Sequence, residues 1–198
     1  MSKVLYIKAN AKPDGTSRTF QVSDSFVDTY QSQHPEDEII TLDLYKEGIR
    51  FLQKEDLALR GSEISKDHPV YKYAYQFAAA DKYIIAAPFW NLSFPAILKA
   101  YIDYVSVAGI TFKYTANGPV GLLQDKKAIH IVGRGGLYSN GPAADFEMGD
   151  RYLKTIFGFL GITDFTTLPI EKLDVVTEDS SAIVADAMKS ATAIAKSF

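Results

Sequence analysis

Tyr83-Ile84-Ile85-Ala86-Ala87-Pro88-Phe89-Trp90-Asn91 decides how this chain folds. Five apolar residues in a row are too few for a helix. They read as a strand buried on both faces, stopped by a proline that cannot donate to a ladder. Burial on both faces belongs to parallel sheets, whose crossovers lay helices above and below. The neighbours fit that arrangement. Residues 69 to about 80 form a helix, with Pro69 at an allowed first-turn position and Val70, Tyr73, Ala74 and Phe77 periodic. Pro95 opens another helix that lasts to about residue 108.

Further out, residues 4–7 and 39–44 read as strands. Between them a helix runs from 17 to about 33, with Phe20, Phe26, Val27 and Tyr30 on one face. On the other side, strands at 128–132 and within 163–170 flank a helix that starts after Pro142 and ends near Leu160. An Ala-rich helix at 180–196 closes the series. Residues 45–67 take no assignment, and their mixed charges read as a solvated face; residues 109–125 read as an irregular excursion with room for short strands. Strict alternation of strand and helix implies one α/β domain over residues 1–198. The expected architecture is a flavodoxin-like, doubly wound, five-stranded parallel sheet of order 2-1-3-4-5 with helices on both faces. Ligands of such sheets sit at the carboxyl ends of strands 1 and 3, where the winding reverses. The loops after strands 1, 3 and 4 are therefore where function is expected.

Composition excludes several classes. The 198 residues carry 21 Lys+Arg against 24 Asp+Glu, a net charge of −3, which argues against a nucleic-acid partner. With no cysteine there is no thiolate nucleophile, disulfide or Cys-held metal, and the three histidines are too scattered for a metal motif. No apolar run approaches the ~18–20 residues of a membrane span. The four apolar residues between Lys3 and Lys8 are too few for a signal-peptide core, so a cytoplasmic location is expected.

The first loop leads into Ser17-Arg18-Thr19 at a helix N-terminus, whose free N–H groups attract anions. The first acid of that helix is Asp24, and Arg18 stands in the first turn instead; an external anion would explain this, although Ser17 could equally be a plain N-cap. The second loop offers Phe89, Trp90 and Asn91 to a flat ligand. The third, Gly133-Arg134-Gly135-Gly136, lets backbone come close. Together they fit a phosphorylated planar cofactor, with FMN the leading candidate. Other occupants of the fold lack their residues: no phosphatase cysteine, no receiver aspartate after the third strand, no Gly-Lys-Ser/Thr loop. Without Gly-x-Gly-x-x-Gly after the first strand, NADH visits but does not reside.

These residues carry a resemblance. Over essentially its whole length the chain resembles FMN-dependent NADH-azoreductases, which also act as quinone reductases. The matching pieces are Lys3-Val4-Leu5, Ser17-Arg18-Thr19 for a Ser-x-Ser, Pro88-Phe89-Trp90-Asn91-Leu92 for Pro-Met-Tyr-Asn-Phe, residues 109–115 with Asn117-Gly118-Pro119, and Gly133-Arg134-Gly135-Gly136 for Ser-Arg-Gly-Gly. Asn10, Thr19 and Gly133 each stand where that family has serine. The resemblance implies that Asn10, Ser17, Arg18, Thr19, Pro88, Phe89, Trp90, Asn91, Leu92, Gly133, Arg134, Gly135 and Gly136 bind FMN, with Arg60, Tyr114, Tyr138 and Phe159 lining a substrate cavity. It implies ping-pong, two-electron reduction of quinones and azo compounds by NADH on the cofactor, with no catalytic side chain and no metal. It also implies a homodimer. Phe94, Ile97, Leu98, Tyr101 and Tyr104, at helical spacing, and Phe157 and Phe159 are apolar material for the contact, or else ordinary core. His130, mid-strand, reads as a core histidine. The alternative function is a flavodoxin-type electron carrier with no small substrate of its own.

Overall fold

The chain's computed structural model describes residues 1–13, 15–60 and 66–198; Asp14 of the first loop and residues 61–65 of the charged stretch lie outside the described residues. Seven strands are present among them: β1 (Lys3–Lys8), β2 (Glu38–Asp43), β3 (Lys82–Ala86), β4 (Phe112–Thr115), β5 (Gly118–Gly121), β6 (Lys127–Gly133) and β7 (Asp164–Ile170). The helices are α1 (Arg18–Gln33), α2 (Lys54–Leu59), α3 (Pro69–Ala79), α4 (Ala96–Val105), α5 (Gly149–Leu160) and α6 (Ser180–Ala195).

Five strands pair in parallel in the order β2-β1-β3-β6-β7, the doubly wound order expected from the alternation. The pleat sorts side chains into two cores. Val4, Tyr6, Ile84, Ile129 and Ile131 meet Phe26 and Tyr30 under α1 and α6. Leu5, Ile7, Tyr83 and Ile85 meet Phe77, Leu98, Tyr101 and Phe157 under α3, α4 and α5. Because the strands are parallel, β1, β3, β6 and β7 all end on one side, and their loops gather there.

The structure corrects several expectations. The stripe Phe94, Leu98, Tyr101 and Tyr104, with Phe157, is buried within the chain's own core, so it does not supply a surface for a second copy. The fully buried Tyr101 hydroxyl has no partner among the described residues. α4 stops at Val105, short of residue 108, because the buried Thr111 hydroxyl donates to the Val105 carbonyl at 2.8 Å and accepts the Val107 N–H at 3.1 Å. α5 begins at Gly149, later than Pro142 suggested, where the Glu147 carboxylate accepts the N–H groups of Asp150 (2.9 Å) and Arg151 (3.2 Å). The excursion holds an antiparallel β4–β5 hairpin. In the unassigned stretch α2 forms around Asp56, which is buried and paired with Arg50 and the Gln53 N–H, so that face is only partly solvated. His130, by contrast, is the core histidine expected, buried in the sheet with Nδ1 3.1 Å from Asp150 Oδ1.

Candidate cofactor site

At the end of β1, Asn10 and Ser17 form the first part of the site. Ser17 caps α1, accepting the Phe20 N–H at 3.2 Å and an N–H of Asn10 at 2.8 Å. Both hydroxyl lone pairs are then used, and the one remaining capability of Ser17 is to donate its proton outward. Beside it, the N–H groups of Arg18 and Thr19 have no partner among the described residues, as expected at a helix start. Three donors thus converge where α1's dipole favours negative charge. The Arg18 guanidinium is engaged elsewhere: it donates to the Leu173 carbonyl and to Asp174 Oδ1, both at 2.6 Å. An internal partner therefore accounts for a first-turn arginine that the sequence left to an external anion.

After β3 the chain makes a two-residue turn. Trp90 and Ser93 exchange both backbone hydrogen bonds, at 2.8 and 2.9 Å, around Asn91 (φ 49°) and Leu92 (φ 67°). Two successive positive φ values define a type I′ turn. Asparagine suits it, but leucine there is strained by about 1–2 kcal/mol. The Met148 N–H holds the Leu92 carbonyl at 3.0 Å, tying the turn to the start of α5. Trp90 and Leu92 remain 37% and 42% exposed.

The loop after β6 is fastened to the loop after β7. Leu173, Asp174 and Lys172 donate N–H groups to the carbonyls of Arg134, Gly135 and Gly136. The glycines make room for protein side chains: a Cβ on Gly133 would lie 2.6 Å from Thr19 Oγ1, and one on Gly135 2.5 Å from Asp174 Oδ2. Arg134 is 3% exposed. Its guanidinium donates to Glu171 Oε1 (3.0 Å) and Ser139 Oγ (3.2 Å) and lies 3.2 Å from Glu147 Oε1. Burial alone raises the Glu171 carboxyl, but the Tyr138 N–H, Arg134 and Ser139 hold it below its ordinary value. Arg134 thus acts as a tie between loops.

A cavity of about 140 Å³ lies among these pieces, bounded by Asn10, Ser17, Thr19, Phe89, Trp90 and Gly133, with Arg18, Pro88, Arg134 and Gly135 also on it. Leu173 and Asp174 complete its wall, so the loop after the fifth sheet strand belongs to the site as well. Sequence reasoning missed it by confining the search to three loops; β7's place beside β6 was the available signal. Glu147 and Glu171 were missed too, since single acids carry no pattern. Tyr138 is brought to the site, its ring 4.5 Å from Phe89. Arg60, Tyr114 and Phe159 are not. Arg60 donates to the Asp103 carbonyl near the end of α4. Tyr114 and Phe159 flank Phe112 at the far end of α5 (5.4 and 4.9 Å), ten residues or roughly 15 Å along the helix from Gly149.

The donor set fits FMN: an outward hydroxyl and two free N–H groups for a phosphate, and an aromatic turn for a flat ring. The cavity is smaller than the ~300–1,000 Å³ of whole-ligand pockets, so a ring would extend over the exposed turn.

The family described as flavodoxin-like fold matches residues 2–194. The chain belongs to that family. Among flavodoxin-like relatives, it is 68% identical over 200 residues to FMN-dependent NADH:quinone oxidoreductase 2 of Clostridium acetobutylicum, covering 100% of both chains. The azoreductase crystal structure from Bacillus anthracis superposes with TM-score 0.91 at 37% identity, again over 100% of both. An FMN-dependent NADH-azoreductase from the same species, in complex with FMN, gives TM-score 0.90 at 29% identity, over 100% of this chain and 99% of that one.

Proposed function

We propose that this chain is an FMN-dependent NADH:quinone oxidoreductase that also cleaves aromatic azo compounds reductively, a single domain acting as a cytoplasmic homodimer. One observation carries the reading: the outward Ser17 hydroxyl, two free α1 N–H groups and the aromatic turn converge on one cavity. Asn10, Ser17, Arg18 and Thr19 hold the phosphate end, Arg18 through its backbone. Pro88, Phe89, Trp90, Asn91 and Leu92, with Gly133, Arg134, Gly135 and Gly136, position the ring. When bound, the flavin supplies two-electron transfer, from NADH in one half-reaction and to the quinone or azo acceptor in the other. The chain's side chains orient and shield. In this reading no side chain serves as an acid or base, and solvent supplies protons.

An electron carrier would share the cradle, but the relatives named above are oxidoreductases. The deciding experiment is anaerobic addition of NADH to the purified, flavin-loaded protein. The enzyme's visible absorbance bleaches with NADH alone. A carrier's would persist until a separate reductase is added, and that result would reject the reading.

The homodimer rests on what one copy leaves uncovered. Trp90 and Leu92 are open at the site, and at the other end of α5 Tyr114 is 74% exposed beside Phe112 and Phe159. A second copy laying that aromatic cluster over the turn gives the site a wall and brings Tyr114 and Phe159 to the substrate, opposite Tyr138. Excluding water in this way favours hydride transfer. Sedimentation and NADH–quinone activity measured across one dilution series should fall together; full activity in a monomeric sample would defeat the dimer. The cytoplasmic location rests on the reading of the sequence; among the described residues, no helix is long and apolar enough to cross a membrane.

A further inference from the structure

A cleft of about 560 Å³ opens on the other side of the loop after β6, lined by Arg134, Tyr138, Glu147, Asp150, Arg151 and Lys154 among others. It shares Arg134 with the cofactor cavity, and its Tyr138 packs on Phe89. Its volume lies within the ~300–1,000 Å³ typical of small-molecule sites. Nothing described so far uses it.

The charges on its wall are engaged unequally. Glu147 accepts the N–H groups of Asp150 and Arg151 and pairs with Arg134 at 3.2 Å. Asp150 accepts the Thr167 hydroxyl at 2.6 Å and faces His130 Nδ1 at 3.1 Å and Lys154 Nζ at 2.8 Å. Both acids are therefore turned inward and satisfied. Arg151 is the opposite case: it is exposed on the first turn of α5, and its guanidinium has no partner among the described residues. Lys154 keeps ammonium protons beyond the one given to Asp150. The wall thus offers donors and few free acceptors, which suits an anion, and a guanidinium matches phosphate geometry in bidentate fashion.

The geometry points to this cleft as the subsite for the pyrophosphate of NADH, with Arg151 as its main donor; the inference rests on the NADH reading proposed above. A dinucleotide held there has Tyr138 and then Phe89 between its phosphates and the aromatic turn, so its nicotinamide end reaches the flavin site along the loop that separates the two cavities. The flavin's own phosphate has separate donors at Ser17, Arg18 and Thr19.

The test compares wild type with Arg151→Ala, Arg151→Glu and Arg151→Lys. ADP-ribose, which carries the pyrophosphate but no reactive ring, is titrated calorimetrically into flavin-loaded and flavin-free protein. The expected result is about tenfold or more weaker binding for Ala, a larger loss for Glu and only partial rescue by Lys, which restores the charge but not the two-pronged fork. In steady state, the ratio of kcat/KM for NADH to that for 1-benzyl-1,4-dihydronicotinamide, a donor without phosphates, should fall about tenfold in Arg151→Ala. ADP-ribose affinity that is the same in all four proteins overturns the proposal. A selective loss of FMN over riboflavin binding also overturns it, because the cleft would then serve the flavin's phosphate. If wild type oxidises neither donor, the NADH reading itself falls, and the ADP-ribose titration still judges the cleft.

Discussion

Replacing Ser17 with aspartate separates the two duties of that residue. The Ser17 hydroxyl accepts from Phe20 N and Asn10 Nδ2 and has one proton left for a ligand. A carboxylate at the same place accepts from the same two groups, is an equally good N-cap, and is favoured by the helix dipole. The flavin-free Ser17→Asp protein should therefore melt within a few degrees of wild type. Its phosphate binding should collapse. The lost charge-assisted hydrogen bond is worth about 1.5–3 kcal/mol. A negative charge about 4 Å from the phosphate adds repulsion of about 4 kcal/mol at an effective dielectric of 20. With half of that repulsion screened, the total of about 3.5–5 kcal/mol lowers FMN affinity by roughly 300- to 4,000-fold. Riboflavin, lacking the phosphate, should keep its affinity within a few-fold. The assay is quenching of flavin fluorescence on titration with apoprotein, run in parallel for FMN and riboflavin. Equal weakening of both, or no weakening of FMN, would refute the assignment and leave Ser17 as a helix cap alone.

Leu92→Gly relieves about 1–2 kcal/mol of left-handed strain and forfeits about 0.5–1 kcal/mol to the freer unfolded chain. The net of about 0–1.5 kcal/mol should leave the melting temperature unchanged or raise it by up to roughly 6 °C, and a clear fall would show that packing of the leucine side chain outweighs the strain. Tyr101→Phe removes a buried hydroxyl that has no partner among the described residues; it should stabilise the protein by about 1 kcal/mol in urea titration, whereas destabilisation would reveal a bound water. The Asp150 and Glu171 carboxyls are held below their ordinary 3.8 and 4.5, so their contribution to stability is complete above those values and drains away as pH falls through the lower folded-state ones. Unfolding midpoints should therefore drop below about pH 4, and Asp150→Asn should flatten that slope; an unaltered slope would place the acid sensitivity elsewhere.

The sheet was legible because burial on both faces leaves uninterrupted apolar runs, as at Tyr83–Ala87, and because alternation with helices permits few windings. Ser17 was legible as a cap from its place after Pro, Asp and Gly. What escaped was set by single contacts across the fold. The start of α5 depends on Glu147, the end of α4 on Thr111, and the pose of Arg134 on Glu171, 37 residues away. Helical periodicity in α4 marked its apolar face correctly. It could not tell whether the chain's own core or another molecule covered it, since the energetics of burial are alike in both.

Thr19 and Gly133 compete for one small volume. Threonine carries two heavy atoms on its Cβ, so in two of its three staggered rotamers an oxygen or a methyl still meets any residue larger than glycine at 133. Substitutions at the two positions are therefore epistatic. Gly133→Ser introduced first should be harmful, while the same change after Thr19→Ser, whose hydroxyl can swing away, should be tolerated. The pair Thr19 and Gly133 can then be exchanged for two serines by a path open to mutation in one order and nearly closed in the other.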